Sequence, residues 1–435
     1  MKKKVLGMVL AAALAATSFG SVPVMAEDVT DLEFYFAIVA GGALQQTMDA
    51  FVSEFNEANP QYHVEMIYTG TNDDNIIKLQ AAAQAGTLPQ FYVAPYNYKY
   101  MLDSLGIISP LDDLVAADED GEAYIDGFLD SFIRDSYLDD QLISIPFARS
   151  SCIFYYNKDA FEEVGLDPEA PPTSWEELVE DAKLLTKTDD SGKVERYGFG
   201  LCENQGHSQW PYTILTAQNG GQINSDDGTQ TFFDSPESID AVQWWVDLHN
   251  VHKCVPDYLL AFEDMPNMFI EGQLAMMQHT SGNLTNIYGN SDFEVGVALM
   301  PYSEIQTSST GGQNFFMSPD CSEEERKGAW EFIRYCTEPE QQARWCAACG
   351  YLAAVDAAYE TETLKKYMEE VPGLQGAFDQ LNAGAVTEIA TYECQQIWTL
   401  VNDYLQAAIT GEMTVEDAMG ELQMKADSIL EDYRE

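Results

Sequence analysis

Apolar positions along the chain switch between two periods, and each switch marks an element. Residues 31–39, DLEFYFAIV, form a nearly unbroken apolar run that predicts a buried strand, and residues 44–60, LQQTMDAFVSEFNEANP, carry apolar side chains at helical spacing until Asn59-Pro60 stops them. The cycle then repeats. YHVEMIYTG (62–70) alternates as a second strand, and DNIIKLQAAAQAGTLP (74–89) predicts a helix closed by Gly86 and Pro89. Two β-α units in succession imply an α/β fold with a mainly parallel sheet and helices on both faces, and such folds hold ligands beyond the strand ends. Further on, LISIPFARSSCIFYYN (142–157) is extended throughout and longer than an ordinary strand of about 5–6 residues. A run of that length can cross from one lobe into another. KDAFEEVG predicts a short helix ended by Gly165, and Ser174-Trp-Glu-Glu177 has capping-box spacing ahead of SWEELVEDAKLLTK.

The N-terminus adds a destination. Lys2, Lys3 and Lys4 precede an apolar stretch from Val5 to Ala16 and then Val24-Met25-Ala26, the layout of a secretory signal peptide over residues 1–26. No cysteine stands near that cleavage point to carry a lipid, so the expected product is exported, free in a periplasm or at the cell exterior. With 435 residues the chain exceeds one ordinary core and suits two lobes of about 200 residues each. A formal charge of −51 makes nucleic acid and anionic membranes poor partners.

Chemistry-bearing patterns are few. Cys346-Ala-Ala-Cys349 has no second pair to complete a zinc site, and although eight cysteines in an exported chain invite disulfides, most are expected as buried thiols. His249, His252 and Cys254 could approach one metal near a helix end, or the histidines could sit there because the helix dipole favours them. NSDDG (224–228) lacks the carboxylate spacing of a calcium loop and reads as a turn. No G-x-S-x-G elbow surrounds Ser150 or Ser281, so a nucleophilic serine is not expected. A secreted carbohydrate-active enzyme would need two opposed carboxylates, and 72 acidic residues make such pairs easy to imagine and hard to assign. The expectation is a binding protein without catalysis, cofactor or metal.

Several longer stretches carry a resemblance. FYYNKDAFEEVGLDPEAPPTSWEEL, GGQINSDDGTQTFFDSPESIDAVQWWVDL, MFIEGQLAMMQHTSG, VGVALMP, GAWEFIRYCTEPEQQARWCAACGYLAA and the closing TGEMTVEDAM together resemble the extracellular solute-binding proteins of carbohydrate ABC importers, over essentially the whole mature chain. NKDAFEEVGLDPEAPP, SGNLTNI and GYLAAVDAAYE look most like the branch containing glycerol-3-phosphate binders. The resemblance implies a two-lobed periplasmic-binding-protein type II fold, each lobe a mainly parallel sheet flanked by helices, with the ligand cleft between lobes. It implies lobe 1 from 27–146 and 298–336, lobe 2 from 151–292 and 337–435, and crossovers near 147–150, at 293–297 and in a helix over 325–336. The implied partners are a small-molecule carbohydrate and the permease subunits of an ABC importer, with the chain a monomer.

By matching to that branch, Ser150, Ser281, Gly312 and Tyr351 fall at ligand-proximal positions. Ser150 can donate to and accept from a solute oxygen, or its hydroxyl can be satisfied by backbone. Gly312 could admit a backbone N–H to the solute or simply make a turn. Where the branch carries an arginine, an ungapped count from the C-terminal motif arrives at Trp398; its tyrosine falls on Asn72 and an acidic residue on Ala40. Trp398 either stacks on a sugar ring or belongs to the core. Among the aromatics, Tyr96 and Trp210 are further platform candidates. Losing the arginine favours a neutral sugar or short oligosaccharide. The alternative is glycerol-3-phosphate or a related phosphodiester, for which Arg149 could supply the contact.

Overall fold

The computed structural model describes residues 29–37, 42–203 and 208–434. The signal peptide expected over 1–26, and Ala40, lie outside the described residues. Strand β1 (Thr30–Phe36) pairs in parallel with β2 (Tyr62–Tyr68), and helix α1 (Gly42–Ala58) joins them, burying Met48, Phe51 and Phe55 on one face. Helix α2 (Asn72–Ala85) begins two residues earlier than its apolar pattern predicts, because Thr71 caps it: its hydroxyl accepts the Asp74 N–H, and Asp74 returns a bond to the Thr71 N–H. Gly86, in the left-handed conformation, ends it. β3 (Phe91–Pro95) then pairs with β1 on the other side.

The long extended run is a single strand, β4 (Ser144–Asn157), whose 14 residues are all buried. It is followed by β5 (Val194–Gly200), helices α3 (Gln209–Gln218) and α4 (Pro236–Asp247), and strands β6 (Leu274–Thr280), β7 (Val295–Ala298) and β8 (Ser308–Met317). Helices α5 (Glu323–Cys336), α6 (Pro339–Cys349), α7 (Cys394–Ile409) and α8 (Val415–Ile429) complete the frame. The strands form one ten-stranded sheet in the order β2-β1-β3-β8-β4-β6-β5, with a two-residue strand at the β5 edge, β7 beside β4, and Ala385–Val386 beside β8. Parallel pairs lie toward the ends of this path, while β4 and β8 run antiparallel through its middle.

β4 changes partner along its length. Residues 144–151 pair with β8, and residues 152–156 pair with β6. Strand alternation sends its side chains to opposite faces. Ile145, Phe147, Ile153 and Tyr155 enter one apolar cluster that runs continuously along one face of the sheet, while Cys152, Phe154 and Tyr156 enter a second. On that second face a separate cluster under β3 collects Tyr92, Ala94 and Phe316. One face of the sheet therefore has a single core and the other has two. The helix α6 packs Trp345 on Phe147 and Phe36, at ring distances of 4.7 and 6.0 Å, while α7 and α8 pack on α4.

The capping at Ser174 differs from the expected box. Its hydroxyl accepts the Glu177 N–H, but Glu177 bonds the N–H and hydroxyl of Thr173 instead of returning to Ser174. Gly312 is likewise no turn. It lies within β8 opposite Arg149 with φ of +102°, and a Cβ there would stand 2.0 Å from the Ala148 carbonyl oxygen. Gly312→Ala is accordingly expected to cost about 2–4 kcal/mol of folding stability, measurable by denaturant unfolding, with or without any solute present.

Candidate functional site

Between the two clusters on the divided face opens a cleft of about 1380 Å³. Its first wall comes from the α2 N-terminus and the turn after β3, through Asn72, Asp73, Asn97 and Tyr98; its floor comes from Ser150 on β4 and Gly311, Gly312 and Gln313 on β8. The opposite wall carries Gln209 and Trp210 at the start of α3, Tyr351 after α6, Glu388, and Trp398 and Asn402 on α7.

The floor is the most constrained part. Gly311 faces Ser150 across the β4–β8 ladder, and a Cβ on Gly311 would lie 2.8 Å from Ser150 Oγ, 3.2 Å from Trp210 Cζ2 and 3.4 Å from Glu388 Oε1. A hydroxyl, an indole edge and a carboxyl thus crowd around Gly311, where a side chain would meet all three. Trp210 is buried, and its Nε1–H, on that same edge of the ring, meets no acceptor among the described residues. An unpaired buried donor costs about 1–3 kcal/mol.

Glu388 was not legible from the sequence. Its Oε2 accepts a hydrogen bond from Asn97 Nδ2 at 3.1 Å, and its backbone N–H donates to the Tyr96 hydroxyl at 3.1 Å. Burial pushes its carboxyl up to about 8; the Arg149 guanidinium pulls it down, the Asp135 carboxylate raises it, and the Asn97 bond lowers it.

Of the nine expected site residues, Ser150, Trp210, Gly312, Tyr351, Trp398 and Asn72 line the cleft, and Ser281, Tyr96 and Arg149 do not. Trp398 does two things. Its ring packs 4.9 Å from that of Tyr98 and its Nε1–H donates to the Ile389 carbonyl, while the side chain still reaches the cleft. Ser281 is fully buried, and its Oγ accepts the Ser151 N–H, so it stitches β4 to its neighbour while Thr280 and Gly282 on either side line the cleft. Tyr96 is buried behind the wall, where its hydroxyl donates to the Thr310 carbonyl.

Arg149 is the largest departure from expectation. Adjacent residues of a strand point to opposite faces, so with Ser150 in the cleft Arg149 points away from it. Its side chain has no exposure, and it donates to the carbonyls of Gly311 and Phe132, to Asn314 Oδ1, to Thr310 Oγ1 and, at 3.1 Å, to Asp135 Oδ2. The rings of Tyr96 and Phe132 flank the guanidinium at 4.0 and 4.7 Å. No capacity is left for a solute phosphate. Arg149→Met would strand the buried Asp135 carboxylate, and the expected loss is about 3–5 kcal/mol of folding stability in chemical denaturation.

Elsewhere the expected chemistry dissolves into packing. His249 meets the buried Glu203, which also accepts from Trp245 Nε1, and Cys254 is buried as a free thiol. All eight cysteines are free. Among the described residues no cluster of three or more His, Cys, Asp or Glu could hold a metal, and no helix is long and apolar enough to cross a membrane.

Residues 50–372 match the family model for bacterial extracellular solute-binding proteins. The sn-glycerol-3-phosphate-binding periplasmic protein UgpB of Yersinia pseudotuberculosis is 28% identical over 418 residues, 94% of each chain. Among solved structures, the cyclic alpha-maltosyl-1,6-maltose binding protein from Arthrobacter globiformis superposes with a TM-score of 0.80 at 23% identity, covering 93% of this chain and 100% of that one. UgpB from Mycobacterium tuberculosis in complex with glycerophosphocholine gives 0.78 at 22% identity, covering 93% and 99%. At such identities the structures establish the shared two-lobed α/β fold.

Proposed function

The chain belongs to the bacterial extracellular solute-binding proteins, and from that premise we propose that it captures a neutral sugar or short oligosaccharide in this cleft by hinge closure. Members of the family bind small solutes and deliver them to an ABC permease; they are not enzymes. This chain acts in the same way, as an exported monomer without catalytic chemistry.

The observation that carries the choice of solute is charge. The described residues lining the cleft include four acidic residues, Asp73, Glu263, Asp403 and Glu388, the last pushed by burial toward its neutral form, and no Lys, Arg or His. A phosphate brought into that space would lose water and gain no cation in return. Hydroxyl groups, by contrast, donate to carboxylates and accept from Trp210 Nε1–H, and the apolar faces of sugar rings suit Trp398 and Tyr98. The relatives' names favour glycerol-3-phosphate or a phosphodiester as the second reading. Arg149 was the residue available to support it, and Arg149 is spent on Asp135 behind the wall.

The change of partner along β4 between Ser151 and Cys152 supports a crossover near 147–150, since a strand shared by two sets of neighbours can bend where the sets meet. The pairing of β7 with the far end of β4 supports a return crossover at 293–297.

A thermal-shift panel of maltose, maltotriose, mannotriose, glycerol-3-phosphate and glycerophosphocholine tests the reading. At 100 times its dissociation constant, the bound solute adds about 2.7 kcal/mol of stability. Neutral sugars are expected to raise the melting temperature and both phosphates to leave it where it was; the reverse pattern would sink the sugar reading. Trp210→Phe keeps the ring and removes the N–H, so it is expected to weaken sugar binding by about 5- to 10-fold, the worth of one hydrogen bond of about 1–1.5 kcal/mol.

A further inference from the structure

We propose that Glu388 is the specificity-determining residue of the cleft: it hydrogen-bonds the solute in a subsite shared with Ser150 and Trp210, and its charge state sets whether the solute is held. This rests on the reading of the cleft as a carbohydrate site and assigns it a residue that the sequence did not mark.

The geometry begins at Gly311, where Ser150 Oγ, the Trp210 ring edge and Glu388 Oε1 approach one point in the floor. All three residues line the cleft beside Gly311, so a solute hydroxyl entering there comes within reach of the Ser150 hydroxyl and the Glu388 carboxyl, next to the Trp210 ring edge. Ser150 both donates and accepts, Trp210 only donates, and a protonated carboxyl adds one donor and an acceptor. A hydroxyl can satisfy such a set, because it too plays both parts.

The surroundings decide which form of the carboxyl is present. Glu388 faces Arg149 and Cys152 from β4, Asp135 from the segment ahead of β4, and Tyr96, Asn97 and Tyr98 from the turn after β3. Arg149 is the one cation in that set, and its Nη2 is already bonded to Asp135 Oδ2 at 3.1 Å. A charged Glu388 would place a second carboxylate against a guanidinium that is already paired, and burial raises its carboxyl to about 8. When the lobes close over a neutral solute, the face of Glu388 that still meets water in the cleft is covered. Closure therefore favours the protonated form further, and binding takes up a proton wherever the open protein has lost it. The sign follows: affinity is full well below about pH 8 and falls by up to about tenfold for each pH unit above it, until the closed form itself ionises. A solute bringing its own negative charge could accept the proton of the neutral acid, but it is repelled by the ionised one.

Isothermal titration of the purified protein with maltotriose, mannotriose and glycerophosphocholine from pH 6 to pH 9 reads this directly. The wild type is expected to bind its sugar about tenfold more weakly at pH 9 than at pH 7. Glu388→Gln keeps the shape of the protonated acid and cannot ionise, so its affinity should vary by less than twofold over that range. Glu388→Ala removes the group and should weaken binding at least tenfold at pH 7. A flat wild-type profile, a Gln variant that follows the wild-type curve, or an Ala variant with wild-type affinity would each overturn the assignment. Should glycerophosphocholine alone bind, the carbohydrate reading is lost, and the same comparison made with that probe still decides the part played by Glu388. Binding of none of the three overturns both readings.

Discussion

A guanidinium placed in the middle of a sheet must find acceptors for its N–H groups or the fold fails, because arginine does not give up its charge. Arg149 meets that demand with five bonds to three parts of the chain: Gly311, Thr310 and Asn314 of β8, the Phe132 carbonyl, and the Asp135 carboxylate. Those bonds fix β8 against β4 at the point where Gly311 must lie beside Ser150. They also bring Tyr96 onto the guanidinium, and the Tyr96 hydroxyl in turn accepts the Glu388 N–H. The floor and one wall of the cleft thus hang from a buried residue that does not line it. Such pairs are poor sources of net stability, yet removing one partner is costly. Their value here is positional.

The frame was readable because it depends on periods and caps. The strand and helix pattern of residues 31–89 reappears as β1-α1-β2-α2, and the extended run from Leu142 reappears as β4, since apolar spacing and Gly or Pro stops act locally. Most of the cleft residues were readable where the resemblance supplied them, as with Ser150 and Tyr351, and Trp210 through the aromatic pattern. Alternation along β4 could have corrected one error in advance: Arg149 and Ser150 are neighbours on a strand, so both cannot face one cleft. A similar rule separates Tyr96 from Tyr98, which share a tight helical turn and diverge to the back and front of the wall. Glu388 had no such signal. It is one of 72 acidic residues and sits in an irregular stretch ahead of α7, so only the three-dimensional meeting of that stretch with β4 and β8 gives it a role.

The two neighbouring glycines show how a shared residue type hides different physics. Gly312 is required by the backbone, where a side chain would strike the Ala148 carbonyl. Gly311 has no positive φ, and what a side chain would strike there is the functional trio itself. The one secures the ladder and the other keeps the subsite open. Their adjacency follows from the antiparallel pairing, in which consecutive β8 residues face Ser150 and Arg149, the front and back of β4.

Charge closes the physical account of the cleft. An anion leaving water must meet a cation or a dense set of N–H donors, and among the described residues the guanidinium nearest the floor, that of Arg149, is turned away and shared with Asp135. A polyol leaving water needs only matched donors and acceptors, each individually weak, and a carboxylate can serve two neighbouring hydroxyls at once. The acidic lining from Asp73, Glu263 and Asp403 supplies acceptors around the rim, while the Trp210 N–H and the Glu388 carboxyl supply donors at the floor. On the proposed reading, that gradient from acceptors outside to donors inside would orient a hydroxylated ring. It also explains why relatives with a phosphate-binding name can share this fold and most of its frame: exchanging a few side chains on fixed β-strand positions changes the charge of the floor without moving the strands that form it.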